Sequence, residues 1–356
     1  MPTFVAENVV PKTTISVVVA ARNEAENIGV LIQKIAAQRF PKAQLELIVI
    51  DDNSTDETAF VIQKSIEILD KQLIIKYLRL ENAEGKKAAI THGIAQAQHE
   101  LVVTTDADCL PTTDNWLHEI ADFYTKTEAK IVAAPVVFYN EKNTLGRFQT
   151  ADFVAMMAVT AAGISSRTVL MCNGANLAYP RSVFAEVGGF EGNAHIASGD
   201  DVFLLHKIAE RYPNDVHFLK SENAVIRTEP KHTWNEFWAQ RLRWGTKNTA
   251  YTDWRITAVL GLVWLYCISF WLFMLLFLLG FANGFANGYT LFLSFGIKMS
   301  ADFWLLYRVT PFFGRDDLLR PQNFVPSFFL YLYYMLAIGT LSLLRKKYVW
   351  KARTVG

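Results

Sequence analysis

The chain is poor in the features that would tie it to an oxidising compartment or to nucleic acid. Of its 356 residues only three are cysteine, Cys109, Cys172 and Cys267. An odd, sparse set without metal-ligand spacing excludes a disulfide framework and a zinc finger, and it fits a reducing compartment. Net charge is almost absent, since 35 basic against 34 acidic residues leave +1. That removes the electrostatic case for binding nucleic acid. Met1 to Lys12 lacks the basic-then-apolar pattern of a secretory leader, so no signal peptide is expected. No Gly-x-Gly-x-x-Gly follows the first apolar strand, which argues against a dinucleotide site. Gly85-Lys86-Lys87 is not a P-loop either, because Leu80 stands where the first glycine is needed and no Ser or Thr follows the lysine. Charge is also missing late in the chain: residues 256–297 and 321–344 contain no Asp, Glu, Lys or Arg.

What those late segments do contain is apolar and aromatic. As one helix the first would be about 63 Å long, roughly twice a bilayer core. The tandem Phe281-Ala282-Asn283-Gly284 and Phe285-Ala286-Asn287-Gly288 breaks it, since Asn-Gly marks turns. Apolar helices are therefore expected near 256–280, 289–309 and 324–344. The middle one carries Lys298 and Asp302, four apart on one face, and Arg308. The basic tail Arg345-Lys346-Lys347…Lys351-Ala352-Arg353 belongs on the cytoplasmic side, as does the region before residue 256. An even number of crossings follows, so one of the three segments is expected to lie in the interface or to re-enter. The chain reads as an integral protein of the cell (inner) membrane, with residues 1–250 as a cytoplasmic domain and 251–356 as the membrane region.

The first 230 residues alternate between strand and helix patterns. Thr14 to Ala20 is a strand, and Ile28, Leu31, Ile32 and Ile35 fall at helical spacing after it. Leu47-Ile48-Val49-Ile50 runs into Asp51-Asp52, and Leu101 to Thr105 runs into Asp106-Ala107-Asp108. Between them come a helix opened by the capping-box pair Ser54 and Glu57, a strand at 73–80 and a helix at 86–97. The expected fold class is α/β, with a mostly parallel sheet and helices on both faces. Continuous apolar strands suit such a sheet, and its ligand crevice lies beyond the carboxyl ends of the strands. Four carboxylates are thereby brought to one edge, where they repel unless a cation or a donor-rich ligand sits between them.

Three further groups carry chemistry, and each has an ordinary reading beside it. Asp106 and Asp108 offer hard oxygens for Mg²⁺ or Mn²⁺, although acidic turns are common. Ser198-Gly199-Asp200-Asp201 precedes a helix over about 202–212. Asp201 there is either a carboxylate favoured by the helix dipole or a base for an acceptor hydroxyl. Thr233-Trp234-Asn235-Glu236 is a capping box opening a helix over 233–248. Gln240, Arg243 and Trp244 share a face of that helix, which also fits an interfacial aromatic-basic belt. Cys109, beside the Asp-Ala-Asp, reads as a small residue near a turn.

Taken together these pieces resemble a family 2 glycosyltransferase: inverting, metal-dependent, of GT-A fold. The likeness runs through Val19-Ala20-Ala21-Arg22-Asn23-Glu24, Ile50-Asp51-Asp52-Asn53-Ser54-Thr55-Asp56 and Gly85-Lys86-Lys87-Ala88-Ala89-Ile90. It continues through Asp106-Ala107-Asp108, Gly188-Gly189-Phe190 and Gly199-Asp200-Asp201, and closes on Gln240-x-x-Arg243-Trp244. The apolar C-terminal segments resemble the membrane-bound branch that includes cellulose, hyaluronan and ceramide glucosyl synthases. One departure is Asp200-Asp201 where the family usually has Glu-Asp.

The resemblance implies a nucleotide-sugar donor, usually UDP-linked, with the nucleotide near Ala20, Arg22, Glu24 and Asp52 and with Lys86 on it or its phosphates. It implies that Asp106 and Asp108 organise Mg²⁺ or Mn²⁺, Asp108 being the direct ligand. Asp201 would be the base, with Asp200 beside it, and Gln240, Arg243 and Trp244 would cover the junction of donor and acceptor. The implied acceptor is a hydroxyl on a lipid or lipid-linked glycan at the cytoplasmic membrane face, and a homo-oligomer is compatible. Three other functions stay open on the sequence: a processive polysaccharide synthase, a non-catalytic membrane-tethered nucleotide-binding protein, and a channel or transporter.

Overall fold

The computed structural model describes every residue except 8, 82, 169, 194, 195, 197, 198, 247–252, 280–283, 345–347, 351, 352 and 356. The side chains of 246, 284–287, 348–350 and 353–355 are also outside the description. Residues 281–283 of the expected break at 281–288, Ser198 of the acidic motif and most of the basic tail therefore lie outside the described residues, while 284–288 of that break are helical. The chain divides into two compact units. One comprises residues 1–137, 160–229 and 349–356, and the other residues 138–159 and 230–348.

The first unit is built on a seven-stranded sheet. Its elements begin β1 (Ile15–Ala21), α1 (Ile28–Ala36), β2 (Leu45–Asp51), α2 (Thr58–Leu69), β3 (Ile74–Arg79), α3 (Lys86–Ala95) and β4 (Leu101–Asp106). Then follow β5 (Leu110–Pro111), α4 (Trp116–Thr127), β6 (Ile131–Ala133), β7 (Val136–Phe138), α5 (Thr144–Ser166), of which only 160–166 belong to this unit, β8 (Leu177–Pro180) and α6 (Arg181–Glu186). The series ends with α7 (Asp200–Arg211), β9 (Val216–Phe218) and β10 (Ile226–Thr228). The large sheet runs β3-β2-β1-β4-β8-β6-β9. β3, β2, β1 and β4 are mutually parallel, and β8 is antiparallel to both its neighbours. Every residue of β2 is buried, as are all of β1 except Ala20, which is what continuous apolar runs require of strands covered on both faces.

Register places the site. Ala20 of β1 lies across from Ile50 on one side and Asp106 on the other, and Ala21 lies across from Asp51. The carboxylates at the ends of β2 and β4 therefore reach the same sheet edge, as their positions in the sequence require. One expectation fails at this edge. Ser54 and Glu57 do not form a capping box: α2 starts at Thr58, and Asp56 Oδ1 accepts from the Thr58 amide at 3.0 Å. Ser54 Oγ instead accepts from the Asn23 amide at 3.0 Å. The hydroxyl is taken up by the neighbouring loop, and the carboxylate two residues on does the capping.

Helix α3 packs onto the sheet through Gly93. A Cβ there would lie 2.7 Å from Val18 Cγ1 and 2.5 Å from Ile50 Cδ1. Gly93→Ala is accordingly expected to destabilise by about 1–3 kcal/mol through overpacking. Thermal unfolding checks this, and a melting temperature equal to or above the parent's contradicts it.

The second unit contains most of α5 and α8 (Trp234–Thr246), α9 (Trp254–Leu278), α10 (Gly284–Phe313) and α11 (Pro321–Leu344). The expected apolar helices at 256–280, 289–309 and 324–344 all form, the middle one extended at both ends. By length and composition α9 and α11 are long and apolar enough to cross a membrane, and so is α5, whose apolar window is 56% buried in protein. α10 is not among those candidates, and it holds the Lys298–Asp302 ion pair expected from their spacing. Two strands, β11 (Tyr348–Trp350) and β12 (Arg353–Val355), end the chain.

Candidate active site

Two loops at the sheet edge are stitched together. After β1 the chain turns at Asn23 and after β2 at Asn53, both with φ near +50° (51° and 54°). Asn23 Oδ1 accepts from the Thr55 amide at 2.8 Å, and Thr58 Oγ1 accepts from the Glu24 amide at 2.8 Å. Arg22 Nη1 donates to the Asp52 carbonyl at 2.7 Å. The Glu24 carboxylate accepts from Asn27 Nδ2 at 2.8 Å, beside an open depression of ≈ 370 Å³. Ala20, Arg22, Glu24 and Asp52 are thus gathered at one edge.

The paired carboxylates of β2 have distinct roles. Asp51 accepts from the Ser54 amide at 2.8 Å and from the Tyr77 hydroxyl at 3.1 Å, so it closes the turn and holds β3. Asp52 accepts from the Gly85 amide at 3.1 Å and so fixes the start of α3. That contact aims Lys86, the first residue of α3, at the acidic edge.

Lys86 Nζ lies 2.7 Å from Asp106 Oδ1 and 3.1 Å from Asp200 Oδ2. Burial alone would lower its pKa, but Asp106, then Asp200 and Asp201, hold it well above the ordinary lysine value. Lys86 is therefore an ammonium at any physiological pH. Asp106 is pushed up, first by burial and further by Asp108, against the pull of Lys86. Asp106, the exposed Asp108 and the buried Cys109 place their donor atoms within 4.8 Å of one another. Burial, with Asp108 and Asp106 beside it, raises the Cys109 thiol well above its usual value. It stays protonated and donates to Asp108 Oδ1 at 3.5 Å. A protonated thiol is a poor ligand, whereas the two carboxylates are hard donors. The donor set therefore fits Mg²⁺ or Mn²⁺ held by Asp106 and Asp108.

α7 begins at Asp200, two residues earlier than its apolar pattern indicates, so both Asp200 and Asp201 lie in its first turn. Asp201 Oδ2 accepts from the Gly174 amide at 3.1 Å. Gly174 was not singled out in the sequence; the only signal for it was the Asn173-Gly174 turn pair before β8. A Cβ at 174 would lie 3.2 Å from both Asp200 Oδ2 and Lys86 Nζ. Gly174→Ala is expected to pry that pair apart and lower turnover about 10-fold with little change in melting temperature. Wild-type turnover in this variant would show the close approach to be incidental.

Gln240, Arg243 and Trp244 lie on α8, in the second unit. The capping box that opens α8 forms as expected: Glu236 Oε2 accepts from the Thr233 amide at 3.1 Å, and Thr233 Oγ1 accepts from the Glu236 amide at 3.3 Å. Trp244 is half-buried. Among the residues clustered by the structure, Lys86, Asp106, Asp108, Asp200 and Asp201 come from three separate segments of the first unit.

A mostly parallel sheet with carboxylates converging at its carboxyl edge defines a class, and comparison identifies it. Residues 16–188 match the model of Glycosyl transferase family 2. Over those residues the chain is similar to a family 2 glycosyl transferase domain, and its fold is that of a GT-A glycosyltransferase. The probable glycosyltransferase YdaM of Bacillus subtilis (strain 168) is 24% identical over 244 residues, which cover 68% of this chain and 57% of that protein. The poly-beta-1,6-N-acetyl-D-glucosamine synthase of Staphylococcus epidermidis is 25% identical over 333 residues, covering 89% and 78%. In fold the chain is similar to the mannosyltransferase PcManGT of Pyrobaculum calidifontis, solved with GDP-Man and Mn²⁺: TM-score 0.57, 17% identity, 97% and 90% of the two chains.

Proposed function

We propose that this chain is an inverting, divalent-metal-dependent glycosyltransferase. It moves one or a few sugars from a nucleotide-diphosphate sugar, UDP-linked, to a hydroxyl on a lipid or lipid-linked glycan at the cytoplasmic membrane face. The observation that carries this reading is the convergence of Lys86, Asp106, Asp108, Asp200 and Asp201 beyond the carboxyl ends of parallel strands. Arg22, Glu24 and Asp52 frame the nucleotide. Mg²⁺ or Mn²⁺, when bound by Asp106 and Asp108, offsets the negative charge of the leaving diphosphate. Lys86 adds a fixed positive charge beside it.

Asp201 takes the proton from the acceptor hydroxyl. The acceptor oxygen attacks the anomeric carbon from the face opposite the diphosphate. The bond from that carbon to the diphosphate oxygen breaks, and the nucleoside diphosphate leaves with the electron pair. One displacement inverts the configuration. The Gly174 amide holds Asp201 through one oxygen, so the carboxylate is oriented before the acceptor arrives. Gln240, Arg243 and Trp244 take part in transfer, as the Gln-x-x-Arg-Trp motif implies.

With α9 and α11 taken as the two crossings, and α5, whose apolar window is 56% buried in protein, left uncounted, the basic tail satisfies the positive-inside rule without α10. The outer face of α9 carries exposed Leu262, Leu265, Leu272 and Leu275, the residues expected against acyl chains. The likeness to a poly-N-acetylglucosamine synthase over 89% of this chain favours a polymer-forming enzyme as the second reading. A panel of nucleotide sugars fed to membranes containing the chain, with mass spectrometry of extracted lipids, tests both. Lipids heavier by one or a few sugars support the first reading, and long polymer supports the second. Donor binding with no new product from any sugar would contradict both.

A further inference from the structure

α8 carries a second stripe. Phe237, Arg241 and Trp244 fall at i, i+4 and i+7, and the first two are buried, with Phe237 0% and Arg241 1% exposed. A buried guanidinium is costly unless paired. The partner is Asp152 of α5, with Arg241 Nη2 2.9 Å from Asp152 Oδ2. Three rings complete the enclosure. The guanidinium carbon lies 4.5 Å from the Trp244 ring centroid, 5.3 Å from that of Phe237 and 5.4 Å from that of Tyr334 on α11. Phe148 of α5 packs edge-on to both Phe237 and Tyr334, at 5.9 and 5.8 Å. Residues of three helices thus surround one cation, and Trp244 belongs both to this box and to the face shared with Gln240 and Arg243.

We propose that Arg241 is a positioning residue for sugar transfer. By pairing with Asp152 and stacking on Trp244, it sets the rotation of α8 and the plane of the indole, and through them the placement of Gln240 and Arg243. This rests on the transferase reading above. An arginine suits the task because its planar cation pairs in one direction and stacks in another. Lysine would keep the charge and lose the plane. A role in packing alone makes a different prediction: a hydrophobic pair of matched volume often replaces a buried ion pair without loss of stability, and it would leave transfer untouched.

The experiment uses the full chain in lipid nanodiscs, labelled with 5-fluorotryptophan, the Trp244 line being assigned with Trp244→Phe. The variants are Arg241→Lys and the double change Arg241→Met with Asp152→Leu. The double variant is expected to melt near the parent and to keep its donor KM. Its kcat should fall between about 10- and 100-fold, with a displaced Trp244 fluorine line, and Arg241→Lys should fall between it and the parent in both readouts. A stable double variant with parental kcat, or an unmoved fluorine line, overturns the proposal. If the double variant does not fold, Arg241→Lys decides alone, and parental values in both readouts overturn it. If the parent transfers no sugar, the transferase reading falls, while the fluorine line still tests whether Arg241 places Trp244.

Discussion

Asp201→Asn is expected to bind nucleotide sugar as the parent does and to lose turnover by about 10²- to 10⁴-fold. The carboxamide is nearly isosteric, and its oxygen can still accept from the Gly174 amide, at the cost of the bond that the other oxygen accepts from the Val202 amide. What it cannot do is take the acceptor proton. The loss should therefore appear in kcat and kcat/KM together, with donor affinity kept. Asp200→Asn is a different experiment, because Asp200 faces Lys86 at 3.1 Å. Removing that charge loosens the ammonium's hold and should weaken donor binding more than proton transfer. Calorimetric titration with the nucleotide, beside steady-state kinetics, separates the two. If Asp200→Asn is the severe variant in kcat and Asp201→Asn is mild, the base is Asp200.

The second large effect concerns the cation. Chelation with EDTA should abolish transfer, and Mn²⁺ or Mg²⁺ should restore it. Asp108→Ala removes the exposed carboxylate of the pair and leaves Asp106 still paired with Lys86 at 2.7 Å. The expected outcome is a loss of turnover of about 10²-fold or more and weaker binding of UDP in the presence of metal. The parent's rate in EDTA, or Asp108→Ala at that rate, would remove the metal from the account.

How much of this was legible in the sequence follows from which contacts are local. The ends of β2 and β4 were legible because a buried parallel strand is an uninterrupted apolar run, and the residue that ends it is visible. The Thr233–Glu236 box was legible because both partners lie within one turn. The similar Ser54–Glu57 pattern misled, since Ser54 bonds Asn23 across two loops and no local rule includes that competitor. Lys86 between Asp106 and Asp200 joins three segments distant in sequence, and only the sheet order brings them together. Arg241 was the least legible. An arginine beside a polar triad reads as solvated, and nothing local points to Asp152 or to Tyr334 on a helix near the end of the chain. The same long-range packing groups α8 with the apolar helices, although composition changes only after Arg255.

The most direct measurement is the mass and anomeric configuration of the product formed by the full chain in nanodiscs from an α-linked UDP-sugar and extracted membrane lipid. A lipid heavier by one sugar, β-linked by NMR, and absent when Asp201→Asn replaces the parent, is the predicted result. An α-linked product, or one formed equally by Asp201→Asn, would contradict the account.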